Sequence, residues 1–228
     1  MRDCYDNFMK CDMHIHSYNS GACTSPILRA FCRESYSDPA EVYETLQRRD
    51  MDLITLTDHD SIDGCDLLRR NPNFFVSEEV TCTMPSGAIA HIGVYDLNER
   101  QHMEIQRRRN DLVSLLIYLT EHRLFFSINH VFSNLTGRSA KEDFRWFSEY
   151  FPAVETRNAG IAAVANRQAV RFGARTKKSR SAEVTRTRWS QQALRSPKFE
   201  ERETRKSFSE DCSMAPRACA RKPVRPRG

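Results

Sequence analysis

The eight cysteines (Cys4, Cys11, Cys23, Cys32, Cys65, Cys82, Cys212 and Cys219) form no C-x-x-C pair and follow no regular spacing. Neither a zinc ribbon nor a disulfide framework organises this chain; the thiols read as reduced, as in the cytoplasm. No run of 18 apolar residues occurs, and the opening MRDCYDNFMK has no apolar signal-peptide core. The expectation is a soluble cytoplasmic protein with no membrane partner. Histidine is missing as well from residues 161–228, although seven are present before them. The formal net charge of +5 conceals the same division. Residues 1–160 hold 17 Lys and Arg against 24 Asp and Glu, whereas residues 161–228 hold 18 against 6. Two compositions share one chain, and its 228 residues suffice for one α/β core.

The first part reads as strands alternating with helices. Met9 to Ile15 is a candidate strand, and Asp38-Pro39 opens a helix to Arg49, with Asp38 as the cap and Pro39 at the first position. Met51 to Thr57, Phe74 to Cys82, Ala88 to Tyr95, Leu124 to Asn129 and Pro152 to Thr156 read as further strands. Met84-Pro-Ser-Gly87 is a turn. A single long helix is expected from Glu99 to His122, with Leu112, Leu115, Leu116 and Leu119 as its apolar stripe and Arg107–Arg109 on a solvated face. Shorter helices are expected after Gly64, over 139–150 and over 159–172. This order predicts a parallel sheet with helices outside, and no strand after residue 160.

The chemistry lies where strands end. His14 and His16, two apart on an extended segment, share one face about 7 Å apart. Asp58 and His59 follow the apolar run Leu53-Ile-Thr-Leu56. Glu79, His91 and His130 sit in or at the end of the next three strands, while His102 and His122 read as helix bystanders. Imidazoles joined by a carboxylate suit zinc, manganese or iron. More than four such ligands imply more than one ion, a set that activates water and clamps a phosphoryl group.

At this point the sequence resembles the polymerase-and-histidinol-phosphatase (PHP) family of metal-dependent phosphoesterases. The resemblance covers roughly 9–160 and rests on D-x-H-x-H-S at 12–17, L-T-D-H-D at 56–60, E-V-T at 79–81 followed by His91, N-H-V at 129–131 and V-E-T-R-N at 154–158. It implies a distorted (βα)7 barrel, up to three divalent ions, zinc or manganese, and hydrolysis by metal-bound hydroxide. The substrate would be a phosphate ester of a small metabolite, a nucleotide or an oligonucleotide end. By the same resemblance His14 and His16 hold the first ion, Glu79 bridges to a second held by His91 and His130, and His59 serves a third. Asp58 and His59 are the candidate catalytic residues, with Asp58 orienting a ligand from behind. Arg157 is the candidate phosphate-steering cation. Two departures stand out. Ser20 is followed by Gly21 and Ala22 where many members carry Asp or His, and the closing G-S-D-x-H of the family is absent.

Residues 175–228 form a second region, basic and without periodicity, expected to be disordered. As a separate module it would bind nucleic-acid phosphates; that, or a noncatalytic PHP module with a basic tail, is the alternative to the hydrolase reading. A shifted frame explains it otherwise. Back-translating Lys178 to Ser190 with G or C at free third positions, then starting each codon one base early, gives V-A-V-G-G-S-D-A-H-A-L-V. That string is an apolar strand followed by the missing motif, and the chain as it stands is expected to lack its last strand and two metal ligands, with weak or absent activity and poor stability. The gene's nucleotides decide the matter: third bases that forbid G-S-D-A-H would end it.

Overall fold

Asp38 starts the first helix by accepting from the amides of Ala40 and Glu41 at 2.8 and 3.4 Å, with Pro39 at the first position of α1 (Pro39–Arg48). Tyr43 and Leu46 of α1 turn inward against Met51, Ile54, Leu56 and Phe74. This computed structural model describes residues 9–21, 30–133 and 138–182. The shifted-frame motif, most of the basic region, and Cys4, Cys23, Cys212 and Cys219 lie outside the described residues.

Five strands form one sheet in the order β1 (Ser77–Thr83), β2 (Ile89–Tyr95), β3 (Phe125–Ile128), β4 (Ala153–Arg157) and β5 (Ser179–Ala182). Two extended segments continue the row beyond β1. Cys11 bridges Leu53, Ile54 bridges Phe74 and His59 bridges Glu79, all in parallel. The wholly parallel sheet expected from the sequence is not found. β2 runs antiparallel to both β1 and β3, while β3, β4 and β5 pair in parallel, as do the bridges beyond β1. The cause is the turn at Met84–Gly87, closed by Gly87 N donating to Met84 O at 2.8 Å. So short a connection can join only antiparallel neighbours, because a parallel pair needs a crossover of a dozen residues or more.

The long helix expected over 99–122 is two helices, α2 (Glu99–Arg108) and α3 (Leu112–Glu121). Asp111 breaks it by capping α3, accepting from Val113 N and Ser114 N at 3.1 and 3.2 Å. Leu112, Leu115, Leu116 and Leu119 are all buried, and pack with Val80, Ile92, Val94, Phe126 and Ile128 of the sheet. Arg109, expected on a solvated face, pairs with Asp60. α4 (Asp143–Tyr150) adds Phe147 to the same core, and α5 (Ala163–Thr176) leads into β5. β5 corrects the expectation of no strand after residue 160: its backbone ladder forms on β4 although Ser-Arg-Ser-Ala has no apolar alternation. Among the described residues no helix is long and apolar enough to cross a membrane.

Candidate metal centre

Backbone pairing brings the motifs together. Glu79 N donates to Asp58 O at 3.0 Å and Asp60 N to Glu79 O at 2.9 Å, so the L-T-D-H-D loop is stitched to β1 on both sides of His59. Asn129 N donates to His91 O at 2.9 Å, which sets the end of β3 beside β2. His14 and His16 enter from the segment that bridges Leu53.

Five imidazoles then form a closed ring. Neighbouring centroids lie 4.9 Å apart for His14–His16, 4.7 Å for His16–His59, 4.6 Å for His59–His91, 5.0 Å for His91–His130 and 5.7 Å for His130–His14. Glu79, fully buried, stands among them. Its Oε2 lies 3.2, 3.3 and 3.4 Å from Nε2 of His14, His16 and His59. Its Oε1 lies 3.2 Å from His130 Nε2 and 3.7 Å from His91 Nδ1. Oε2 nevertheless has no hydrogen-bond partner, and neither does the buried Nδ1 of His59. Nitrogen donors crowd one carboxylate oxygen at distances suited to hydrogen bonds but at angles that are not.

That geometry fits cations between the donors better than a hydrogen-bonded cluster, since a buried carboxylate oxygen left unpaired is costly. Two groups have donor atoms all within 4.8 Å of one another: His14, Glu79 and His130, and His16, His59 and Glu79. Both share Glu79, as a bridging carboxylate would. His91 joins neither group, but its Nδ1 lies 3.3 Å from His130 Nε2. His102 and His122 stay outside the ring, His102 on Glu78 and His122 on the carbonyl of Tyr118. Arg157 ends β4 exposed and makes no hydrogen bond or ion pair to the ring.

The fold has solved relatives. A Bifidobacterium adolescentis protein described as a candidate metal-dependent phosphoesterase matches with a TM-score of 0.55 at 10% identity, over 76% of this chain and 86% of its own. An amidohydrolase from Chromobacterium violaceum, solved with bound sulfate and no metal, matches at 0.54 and 12% identity over 86% of this chain and 96% of its own. A lesion-specific endonuclease from Pyrococcus furiosus gives 0.41 at 14% identity over 64% of this chain and 41% of its own. No family model and no curated protein matches the sequence.

Behind the ring stand groups that the histidine motifs do not reveal. Glu155, near the end of β4, accepts from His14 Nδ1 at 2.8 Å through Oε1 and from the backbone N–H of His130 at 2.7 Å through Oε2. His130 has φ of 32°, a left-handed conformation that a non-glycine residue adopts at a cost, and the Glu155 bond helps to hold it. Asn129 Nδ2 donates to Glu79 Oε1 at 2.9 Å, and Ser127 and Tyr95 extend that chain into the core. Gly93 faces Glu79 in the β1–β2 register. A side chain there would meet Tyr95 Cζ at 2.8 Å and Asn129 Nδ2 at 3.2 Å, so glycine leaves room for the chain.

Asp58 is buried and touches no imidazole directly. It accepts from Ser17 N and Ser17 Oγ at 2.6 Å each and from Ser20 Oγ at 2.8 Å. Ser20 Oγ in turn accepts from His16 Nδ1 at 2.9 Å. Asp58 therefore reaches His16 through a hydroxyl, and the bond at Nδ1 leaves Nε2 facing Glu79.

The charges follow from this packing. Burial works against protonation of His14, but Glu79 and Glu155 outweigh it and raise its pKa well above the ordinary imidazole value. Burial drives His91 down to about 3; Glu79 opposes this, while His59 and His130 reinforce it. Burial lowers His59 too. Burial would raise Glu79, yet His14, His59 and His91 hold it well below the usual carboxylate range. Glu155 is likewise lowered, because His14 and His130 outweigh burial. His59 and His91 are thus neutral, the state a ligating imidazole must have.

Proposed function

We propose that this chain is a PHP-type metal-dependent phosphoesterase, with residues 1–174 as the hydrolase domain and 175–228 as a basic extension. The observation that carries the reading is the ring of five imidazoles around one buried carboxylate whose Oε2 has no hydrogen bond. The likeness in fold to a described phosphoesterase supports it. The two extended segments and five strands make a row of the length that a distorted seven-stranded barrel requires, and closure of that row is part of the proposal.

His14, His16, His59, His91 and His130 would hold the ions, with Glu79 as the bridge, and zinc or manganese suits the donor set. Bound there, divalent ions supply Lewis acidity toward a phosphoryl oxygen and activate water. The chain's own residues fix the geometry. Glu155 aims His14 and the strained backbone of His130, the Asp58–Ser20 pair aims His16, and Asn129 holds Glu79. Placing donors before the substrate arrives spares the reaction the cost of organising them. The ligands lie between residues 14 and 130, and the closing D-x-H pair of the family is missing, so turnover is slower than in a chain carrying G-S-D-A-H.

The experiment is hydrolysis of p-nitrophenyl phosphate and bis-p-nitrophenyl phosphate by the zinc- or manganese-loaded chain, beside a frame-restored version. Release of p-nitrophenol that stops on chelation, and runs faster in the restored chain, is the expected result. Folded, loaded protein that leaves both esters intact in both versions overturns the reading. The expected location is the cytoplasm.

A further inference from the structure

Helix α2 meets the sheet with a polar face. His102, Ile105, Gln106 and Arg109 recur three or four residues apart, on one side of the helix and its cap residue, and Ile105 is the one apolar member. A helix packed on a core ordinarily offers an apolar stripe there. The strand beneath is equally unusual, because Glu78 of β1 is fully buried. Its Oε2 accepts from His102 Nδ1 and from Gln106 Nε2 at 2.8 Å each, and its Oε1 has no hydrogen-bond partner among the described residues. Well-packed apolar side chains often serve stability as well as a buried polar cluster does, or better. The cluster therefore calls for a reason other than stability.

What the face holds supplies one. Arg109 pairs with Asp60, the residue that follows His59. Asp60 has φ of 52°, in the left-handed region. Its Oδ1 accepts from Thr81 N at 2.8 Å, and its own amide donates to Glu79 O at 2.9 Å. Asp60 thus fastens the His59 loop to β1 through backbone and side chain together, and Arg109 fastens Asp60 to the junction of α2 and α3. His59 belongs to one of the two donor groups, His16–His59–Glu79. The other group, His14–Glu79–His130, is braced from elsewhere, by Glu155 on His14 and on the backbone of His130.

We infer that the polar face of α2 is a positioning device for His59, and so for the ion that His16, His59 and Glu79 would share. His102 and Gln106 dock the helix on Glu78, which sets Arg109 against Asp60, and Asp60 holds His59 in place. The inference rests on the metal-centre part of the proposed function and deepens it, since the two donor groups then have separate supports. Partners behind a ligand orient it and tune its hold on the metal. Here the support stands one step farther out and acts through the backbone on either side of His59. Disturbing α2 loosens one ion and leaves the other.

The test titrates the full chain with zinc by isothermal calorimetry and follows hydrogen exchange at the amides of Asp60 and Thr81. Arg109→Gln removes the guanidinium, and Arg109→Lys keeps the charge. Asp60→Asn removes the carboxylate charge while keeping an Oδ1 acceptor for Thr81 and a residue type that tolerates the left-handed backbone. Arg107→Gln, which loses a pair with Glu104 on the same helix, is the control. In Arg109→Gln and Asp60→Asn one of two zinc ions should bind about tenfold more weakly, the lower end of what an outer partner contributes, with the other ion unchanged. Exchange at Asp60 and Thr81 should quicken in Arg109→Gln, while Arg109→Lys stays close to wild type and the control matches it. Folded Arg109→Gln that holds both ions as tightly as wild type overturns the inference and leaves the metal centre standing. So does equal weakening of both ions in step with a lower urea midpoint, the mark of a merely structural role. If the wild-type chain takes up no zinc, the metal-centre reading fails and the exchange rates decide on the clamp alone: faster exchange in Arg109→Gln upholds its grip on the His59 loop, and unchanged rates overturn it.

Discussion

Glu79→Gln should strip the chain of tightly held divalent metal while leaving it folded. The amide matches the carboxylate in shape but removes the negative charge that three Nε2 atoms and two further imidazoles converge on. Both candidate groups share this residue, so both fail together. Losing a supporting carboxylate behind a ligand costs about 10–100-fold in metal affinity. Losing the bridging ligand should cost more than that, and hydrolysis should fall by about a thousandfold or to background. Stability responds less. Removing one partner of a buried ion pair can cost about 3–5 kcal/mol when the other charge stays behind. Here the other charge need not stay, since burial already opposes protonation of His14 and the ring can shed its proton. Elemental analysis after dialysis, with far-ultraviolet circular dichroism on the same sample, separates lost metal from lost fold.

The second large effect is expected at Glu155, which meets no other motif in sequence yet serves two ligands at once. His14 lies 141 residues away and His130 lies 25 away, and both donate to it. Glu155→Gln keeps one carbonyl oxygen and replaces the other with an amide donor. Either His14 Nδ1 or the His130 amide then faces N–H instead of oxygen. Metal affinity should drop about 10–100-fold, as for other supporting partners of ligating histidines. An unsatisfied buried group should cost about 1–3 kcal/mol of stability. Isothermal titration with zinc or manganese and a urea melt measure the two effects separately. A purely structural role would lower the melt midpoint and leave affinity in the folded fraction unchanged.

These two residues show where reading the sequence succeeds and where it stops. Glu79 and the five ring histidines stand in short patterns, at or beside strands, so the residue types alone point to a common site. Glu155 was visible only as one letter of V-E-T-R-N, because its partners are fixed by the folded sheet and not by spacing. Ser20 is similar: it follows the first motif as an ordinary polar residue, and only the approach of Asp58, 38 residues on, makes it the link to His16. The antiparallel β2 was foreshadowed by the Met84–Gly87 turn, since four residues cannot carry a parallel crossover. Alternation of strands and helices misled there, by suggesting a crossover at every step. The break between α2 and α3 was equally present as Asp111, a residue type that favours helix caps, which the continuous leucine stripe obscured. β5 was illegible for a different reason: it is made by backbone pairing to β4, and its composition carries no strand signal.

The most direct measurement is the number of divalent ions held per chain, by inductively coupled plasma mass spectrometry on folded protein dialysed against zinc or manganese and then against metal-free buffer. At least two ions per chain, falling to none in Glu79→Gln, is the predicted result. A wild-type chain that is folded by circular dichroism and retains no ion would show that the ring of His14, His16, His59, His91 and His130 around Glu79 is not a metal centre.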